Sequence, residues 1–199
     1  DERWGTLIIV VMIISMIVGS FGGLAENSIR RVLGYQMLNG MPFILVMMAF
    51  TTHDAQRALA AGILYTIHHM LTVGSLILAS GAIEETYGTG RLNKLSGLAR
   101  RDPIIAWIFA AGAFSVVGFP PFSGMWGKVL IVAEIARTGG GWAWTVIAVI
   151  IIASFAAFLS MLRVWRRVFW GKDLPKEKVP KELVIRKKLM APSAALILG

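Results

Sequence analysis

The chain has 199 residues, of which 56% are hydrophobic and 16% are charged, and its formal net charge is +9. A soluble domain carries roughly 25% charged residues, so the composition predicts a polytopic membrane protein instead. The positive charge does not indicate nucleic acid, because no basic cluster is interleaved with aromatic residues as in a base-stacking surface. The sequence contains no cysteine, which excludes disulfides, iron–sulfur clusters and thiol catalysis within it.

Six apolar segments are long enough, or nearly so, for the ~20 helical residues that a bilayer crossing needs. We predict them at residues 5–25, 32–52, 58–83, 103–118, 121–136 and 142–162, with the start of a seventh at residue 189. They predict an all-α transmembrane bundle that forms one domain over residues 1–199. Residues 171–188 predict a basic surface loop. Since the chain begins at Asp1 and stops at Gly199 inside an apolar run, we expect a piece of a longer protein.

The basic residues give an ambiguous orientation. If all six segments cross, twelve basic residues lie on the side of the long loop and seven on the other, which favours a cytoplasmic loop. The basic link between the third and fourth segments argues against that orientation. A re-entrant segment among the fourth and fifth would change the assignment.

A break interrupts the apolar sequence at Pro120 and Pro121, which Gly118 and Gly124 flank. Proline removes a backbone donor and clashes with the preceding turn, so we predict a broken helix. In a bilayer, freed backbone groups are tolerated where they are buried in protein or line a cavity. Lys128 follows the break, and a cation at that depth costs about 3 kcal/mol or more and marks a functional site. We interpret Lys128 as a proton-exchanging group of an ion pathway; the alternative is that it snorkels to the interface.

Two histidines, His68 and His69, lie in the middle of the third segment, with Tyr65 one turn before them. Histidine titrates near neutrality and can relay protons; the alternative is a structural hydrogen bond to a neighbouring helix. Adjacent helical residues point about 100° apart, so we expect only one of the two to face the interior. A metal or haem site needs further ligands, and the third histidine, His53, lies in a predicted link. We therefore assign no cofactor and no metal.

Other polar residues have simpler interpretations. Arg30 and its neighbour Arg31 end the link before the second segment or begin that segment, as headgroup anchors, unless one of them enters the bundle. Gln36 and Asn39 should face the interior, and Glu84 should end the third segment in water. No nucleophile–base motif, phosphate loop or dinucleotide fingerprint is present, so nothing indicates a self-contained active site.

Five sequence segments together resemble a known family. They are ENSIRRVLGY at 26–35, IHHML at 67–71, GRLNKLSGL at 90–98, GFPPFSGMWGK at 118–128 and LRVWRRVFWG at 162–171. In this order and spacing they are similar to the proton-conducting antiporter-like subunits shared by respiratory complex I, membrane-bound hydrogenases and Mrp-type sodium/proton antiporters. The histidine helix and the Phe-Trp-Gly motif look most like the C-terminal half of the D-type subunits of Mrp antiporters.

The resemblance implies a fold of two inverted repeats, each with a broken helix, of which this chain would cover the second. It matches Lys128 to a terminal proton-exchanging lysine, His68 to a central histidine of the proton path and His69 to its neighbour. Arg30 stands where the family usually has a lysine, and arginine cannot readily pass a proton. Val73 also replaces a lysine, so either water and the histidines bridge the gap or this half serves as scaffold or ion gate.

The implied function is a proton-translocating subunit of a multisubunit cation (sodium)/proton antiporter, or of a related redox-driven pump such as an NADH dehydrogenase-like or hydrogenase complex. Its partners would be other subunits in the cell membrane, protons and, in the antiporters, sodium. Protons would move along buried lysine, histidine and water. The alternative is a structural membrane-arm subunit that moves no ions. A stand-alone enzyme of lipid or quinone chemistry would need paired acids or a metal cluster inside the spans, and the sequence offers neither.

Overall fold

The computed structural model describes residues 2–51, 54–172 and 183–198, and every regular element within them is a helix. The helices are α1 (Glu2–Ala25), α2 (Ile29–Leu45, followed by a 3-10 turn, Val46–Ala49), α3 (Ala55–Tyr87), α4 (Leu98–Arg101), α5 (Pro103–Val117), α6 (Ser123–Thr138), α7 (Gly140–Val164, continuing as a π-helical turn, Trp165–Phe169) and α8 (Lys187–Leu198). This confirms the predicted all-α fold. His53 and residues 173–182 of the predicted loop 171–188 lie outside the described residues.

Four of the helical stretches are long and apolar enough to cross a membrane. They are Arg3–Ala25, Ile29–Ala49, Ala55–Tyr87 and Gly140–Phe169. Helix α3 has 33 residues, which makes it about 50 Å long, well beyond the ~30 Å hydrocarbon core. The Asp54 side chain caps its start by accepting the Arg57 N–H at 3.1 Å, and Gly88 ends it with φ +70°. Helix α3 therefore reaches past the apolar segment that the sequence predicts.

Helices α5 and α6 follow one another along α3. From the C-terminal to the N-terminal end of α3, the contacts are Tyr87 with Asp102, Leu76 with Gly112, His68 with Ser123 and Tyr65 with Gly127. Helix α5 has 15 residues and α6 has 16, so each is only about 22–24 Å long. This geometry favours one crossing shared by the two helices over the separate crossings that the sequence predicts. The number of spans in the bilayer stays a prediction.

A shared crossing separates the basic residues more clearly. The described basic residues at the Tyr87 end of the bundle are Arg30, Arg31, Arg91, Lys94, Arg100, Arg101, Arg163, Arg166, Arg167, Lys172, Arg186, Lys187 and Lys188; those at the opposite end are Arg3, Arg57 and Arg137. Thirteen against three follows the positive-inside rule without the conflict that six crossings produce. It predicts that the Tyr87 end faces the cytoplasm.

Two apolar clusters fill the bundle, one towards each end. The cluster near the Tyr87 end includes Leu33, Val73 and Phe109, and the other includes Phe43 and Tyr65. The histidines of α3 lie between Tyr65 and Val73 in sequence, and so between the two clusters. The two histidines therefore lie near the middle of α3, between the two apolar clusters.

Candidate functional site

The helical path breaks between α5 and α6. Gly118 follows the last residue of α5 with φ +91°, a left-handed conformation that glycine adopts without steric cost. Its N–H and that of Phe119 donate to the Phe114 carbonyl at 3.1 and 2.9 Å, which closes the helix end. Pro120 and Pro121 follow, joined by a cis peptide bond, and α6 begins just beyond them. The broken helix of the predicted fold is confirmed.

Gly124 lets the two helix halves approach each other. A Cβ atom at this position would overlap the Ser115 carbonyl oxygen and lie 2.9 Å from His68 Nε2. The first turn of α6 therefore packs against the last turn of α5 and against α3 at the same point. Three helices meet here, and only glycine leaves room for them.

Lys128 lies on α6, and its ammonium group turns back towards the break. Its Nζ donates to the Val117 carbonyl at 2.8 Å and to Ser154 Oγ of α7 at 3.1 Å, and it lies 5.5 Å from the centre of the Phe43 ring. Val117 ends α5, so its carbonyl lacks a helical donor and carries the negative end of the helix dipole. The side chain thus binds the freed backbone of the break, which differs from the snorkelling alternative.

His68 joins α3 to the start of α6. Its Nδ1 lies 2.8 Å from Ser123 Oγ and 3.3 Å from Thr72 Oγ1. Ser123 Oγ in turn lies 3.5 Å from Ser115 Oγ at the end of α5. Lys128 lies within electrostatic range of the His68 ring. A chain of hydroxyl and imidazole groups therefore runs from α3 to the helix break.

His69 is buried on the other side of α3. Its ring stacks on Tyr65, with 5.7 Å between ring centres, and lies against Gly40 of α2, where a Cβ atom would overlap it. The relative exposures of His68 and His69 are 7% and 3%, so the expectation that only one faces the interior is wrong. Helix α3 lies between α2 and α6, and both of its flanks are covered. Lys128 lies within electrostatic range of His69 as well.

Several buried polar atoms of α2 and α3 have no protein hydrogen-bond partner within the described ranges. They are both amide atoms of Gln36, Oδ1 of Asn39, Nε2 of His68, Nδ1 and Nε2 of His69 and Oγ of Ser80. The Met37 backbone lies close to the His69 ring. Buried polar groups are nearly always satisfied by protein or ordered water. Gln36 and Asn39 are buried, as the sequence predicts. Their unpartnered atoms, like those of the histidines, need water as a hydrogen-bond partner.

Arg30 is not part of this cluster. Its guanidinium forms a 2.6 Å ion pair with Glu84 at the cytoplasmic end predicted above, and its side chain is 59% exposed. Val73 is buried in the apolar cluster between this ion pair and the histidines. The structure therefore brings Lys128, His68 and His69 together and leaves Arg30 apart.

Three residues that contact the site are not predicted from the sequence. Ser123, Ser154 and Thr72 contact Lys128 or His68. Thr72 stands four residues after His68, a helical spacing that could have drawn attention to it. The two serines reach the site only through the tertiary fold. No three His, Cys, Asp or Glu side chains converge on a possible metal within the part of the chain that the structure describes.

The chain matches curated relatives over most of its length. The chain is 32% identical over 195 residues to the D-type subunit of a Na(+)/H(+) antiporter of Bacillus subtilis, a match that covers 96% of this chain and 37% of the relative. It also superimposes on a chain of the Mrp complex from Dietzia sp. with a TM-score of 0.86 and 30% identity, over 100% of this chain and 43% of that one. The chain thus spans about two fifths of the length of these proteins.

A third comparison concerns the fold alone. A chain of the archaeal membrane-bound sulfane sulfur reductase, a respiratory membrane complex, matches with a TM-score of 0.87 and 21% identity, over 98% of this chain and 31% of that one. Relatives and structural neighbours are thus subunits of multisubunit membrane complexes. The chain is a multi-pass protein of the cell membrane. Residues 1–160 match the family model "NADH:quinone oxidoreductase/Mrp antiporter, TM", and the chain therefore belongs to this family of membrane subunits.

Proposed function

We propose that this chain is part of a proton-translocating subunit of a multisubunit sodium/proton antiporter or a related redox-driven ion pump. Protons would move between Lys128, His68 and His69 through water and the hydroxyl groups beside them. The other membrane subunits of the complex would be its partners, and protons and sodium its substrates. The Bacillus subtilis relative, which its name describes as part of a sodium/proton antiporter, supports the antiporter among these complexes.

The observation that carries the proposal is the bond between Lys128 and the end of α5. A lysine that only anchors a helix needs a headgroup or water, but the Lys128 ammonium donates to a backbone carbonyl of the break. His68 Nε2 and both ring nitrogens of His69 have no protein hydrogen-bond partner in the described part of the chain. An imidazole ring can take up a proton at one nitrogen and release one from the other, which is the property that a proton relay needs. Together these groups can store and pass protons without any redox chemistry.

Arg30 has a different role in this proposal. A guanidinium stays protonated, so Arg30 can bias the movement of a proton by its charge but does not carry one. Arg30 lies in the first turn of α2 and pairs with Glu84, which fits such a role.

The second candidate is a structural membrane-arm subunit that packs its partners and moves no ions. The burial of Val73 in an apolar cluster favours it, because no polar side chain follows the histidines at that position on α3. The two candidates differ in what they require of Lys128, since packing alone does not need a group that gains and loses a proton.

The test replaces Lys128 in the complete complex. Lys128→Met removes the ammonium and keeps the apolar stem, and Lys128→Arg keeps a permanent charge. We expect both to reduce proton-coupled transport by about a hundredfold, the low end of what a positioned proton-transfer group contributes, while the complex still assembles. The matched control is Lys94→Met, on the exposed link before α4. Wild-type transport and an unchanged pH profile in both Lys128 variants would leave the structural candidate.

A further inference from the structure

A polar cavity lies at the predicted cytoplasmic end of α2 and α3. Its volume is about 610 Å³, and its lining includes Glu26, Asn27, Arg31, Glu84, Thr89 and Arg91. Two backbone bonds fix its walls, from Ile29 N–H to the Gly90 carbonyl at 3.0 Å and from Leu92 N–H to the Asn27 carbonyl at 2.9 Å. The links on either side are therefore tied together around an open polar pocket, which we call the vestibule.

Glu84 is the lining residue that connects the vestibule to the interior. Its carboxylate pairs with Arg30 at 2.6 Å on one side, and on the other it fills the space where Gly90 has no side chain. The Glu84 side chain is 24% exposed, so water reaches it. Ser80 stands one turn deeper on the same face of α3, and its hydroxyl is fully buried without a protein partner among the described residues.

One stripe of α3 leads from this carboxylate to the histidines. Glu84, Ser80, Val73 and His69 are spaced by four, seven and four residues, which keeps them on one helix face. Ser80 and His69 both carry buried atoms without partners in the described part of the chain. Val73, between them, is 2% exposed and packs in one apolar cluster with Leu33 of α2. The polar stripe is therefore interrupted between Ser80 and His69 by an apolar layer that contains Leu76 and Val73.

We propose that Glu84 is the group through which this chain exchanges protons with the cytoplasmic water, and that Val73, Leu76 and Leu33 form an apolar gate between it and His69. The inference rests on the proposed function. A proton from water binds one Glu84 carboxylate oxygen in place of a contact with Arg30, and it later leaves from the same oxygen, so no other bond changes. A short apolar constriction excludes water, and it opens when water enters. The gate closes the route from the vestibule in the structure as it stands.

The experiment uses the complete complex in liposomes that contain a pH-sensitive dye. Val73→Thr keeps the shape of the side chain and adds a hydroxyl between Ser80 and His69. We expect it to raise passive proton flux about tenfold, which corresponds to about 1.4 kcal/mol in the barrier. Adding Glu84→Gln should return the flux to the wild-type value, whereas adding Glu85→Gln, the exposed neighbour, should leave it raised. If Val73→Thr prevents assembly, Val73→Ala is measured instead, with the same expected direction.

A second buried valine is the control for packing. Val164 of α7 is 0% exposed and belongs to the same apolar cluster, so Val164→Thr costs packing without opening the stripe. An assembled Val73→Thr complex with no more flux than Val164→Thr overturns the proposal, and so does a raised flux that persists with Glu84→Gln. The Lys128 variants test the proposed function separately. If they reduce transport while the Val73 and Glu84 variants leave proton flux unchanged, only the gate and the entry site are refuted.

Discussion

Replacing two glycines by alanine should change stability in opposite directions. Alanine is about 1 kcal/mol better than glycine in a helix interior, so without a steric conflict each change would stabilise the protein. At Gly62 of α3, the new Cβ would meet the Ile44 carbonyl at 3.7 Å and the Met47 side chain at 3.8 Å. These are ordinary contacts, so we expect Gly62→Ala to stabilise the protein by about 1 kcal/mol.

The same change at Gly124 meets the backbone of α5. The new Cβ would overlap the Ser115 carbonyl oxygen and lie 2.9 Å from His68 Nε2. Overpacking costs about 1–3 kcal/mol or more, and a backbone oxygen in a helix end cannot rotate away as a flexible side chain can. This cost exceeds what the helix preference of alanine gains, so we expect Gly124→Ala to destabilise the protein by about 2 kcal/mol.

Thermal unfolding of the purified complex measures the change in stability that each of the two substitutions causes. One kcal/mol shifts the midpoint by about 2–4 °C for a domain of this size, so Gly62→Ala should raise it by about that amount and Gly124→Ala should lower it by about 4–8 °C. Transport should also fall in Gly124→Ala, because the change moves His68 relative to the break, and should be unaltered in Gly62→Ala. Shifts of the same sign at the two sites would refute the packing at the break.

Three further predictions concern anchoring and assembly. Arg163→Met should destabilise the protein by about 2 kcal/mol and lower the melting temperature more than Arg166→Met. Arg163 donates to the carbonyls of Leu24, in the last turn of α1, and of Glu26, and to Asn27 Oδ1 at 2.8 Å, whereas Arg166 is exposed. Asp102→Ala should speed hydrogen exchange at Ile185, whose N–H it accepts at 3.0 Å. The chain expressed without other subunits should be unstable, since its polar interior would meet lipid; a monodisperse folded monomer in detergent would contradict this.

Local chemistry in the sequence was enough to predict the break and its lysine. Two prolines between glycines cannot continue a helix, and composition alone indicates a membrane bundle. The direction of the Lys128 side chain was open, because a lysine near a helix start can reach either an interface or the interior. Only the position of the Val117 carbonyl, fixed by the end of α5, decides between them.

Tertiary arrangement accounts for what the sequence predicted wrongly or missed. A helix at the surface buries one face, and on that assumption only one of His68 and His69 should be interior. Helix α3 is instead covered on two flanks, and both are buried. Likewise, Glu84 looks like a solvated helix end until α2 places Arg30 beside it, 2.6 Å away. Partners this distant in sequence leave no local pattern.

The helix break and Lys128 stabilise each other. A helix end inside a bilayer leaves carbonyls without donors, and an ammonium at that depth lacks water, so either alone is costly. In this structure the Lys128 ammonium is the donor for the Val117 carbonyl, and Ser154 gives it a second acceptor. A neutral lysine keeps its nitrogen but loses the charge that strengthens both bonds. Protonation of Lys128 and the geometry of the break are therefore coupled, which is what a site that links proton movement to a conformational change requires.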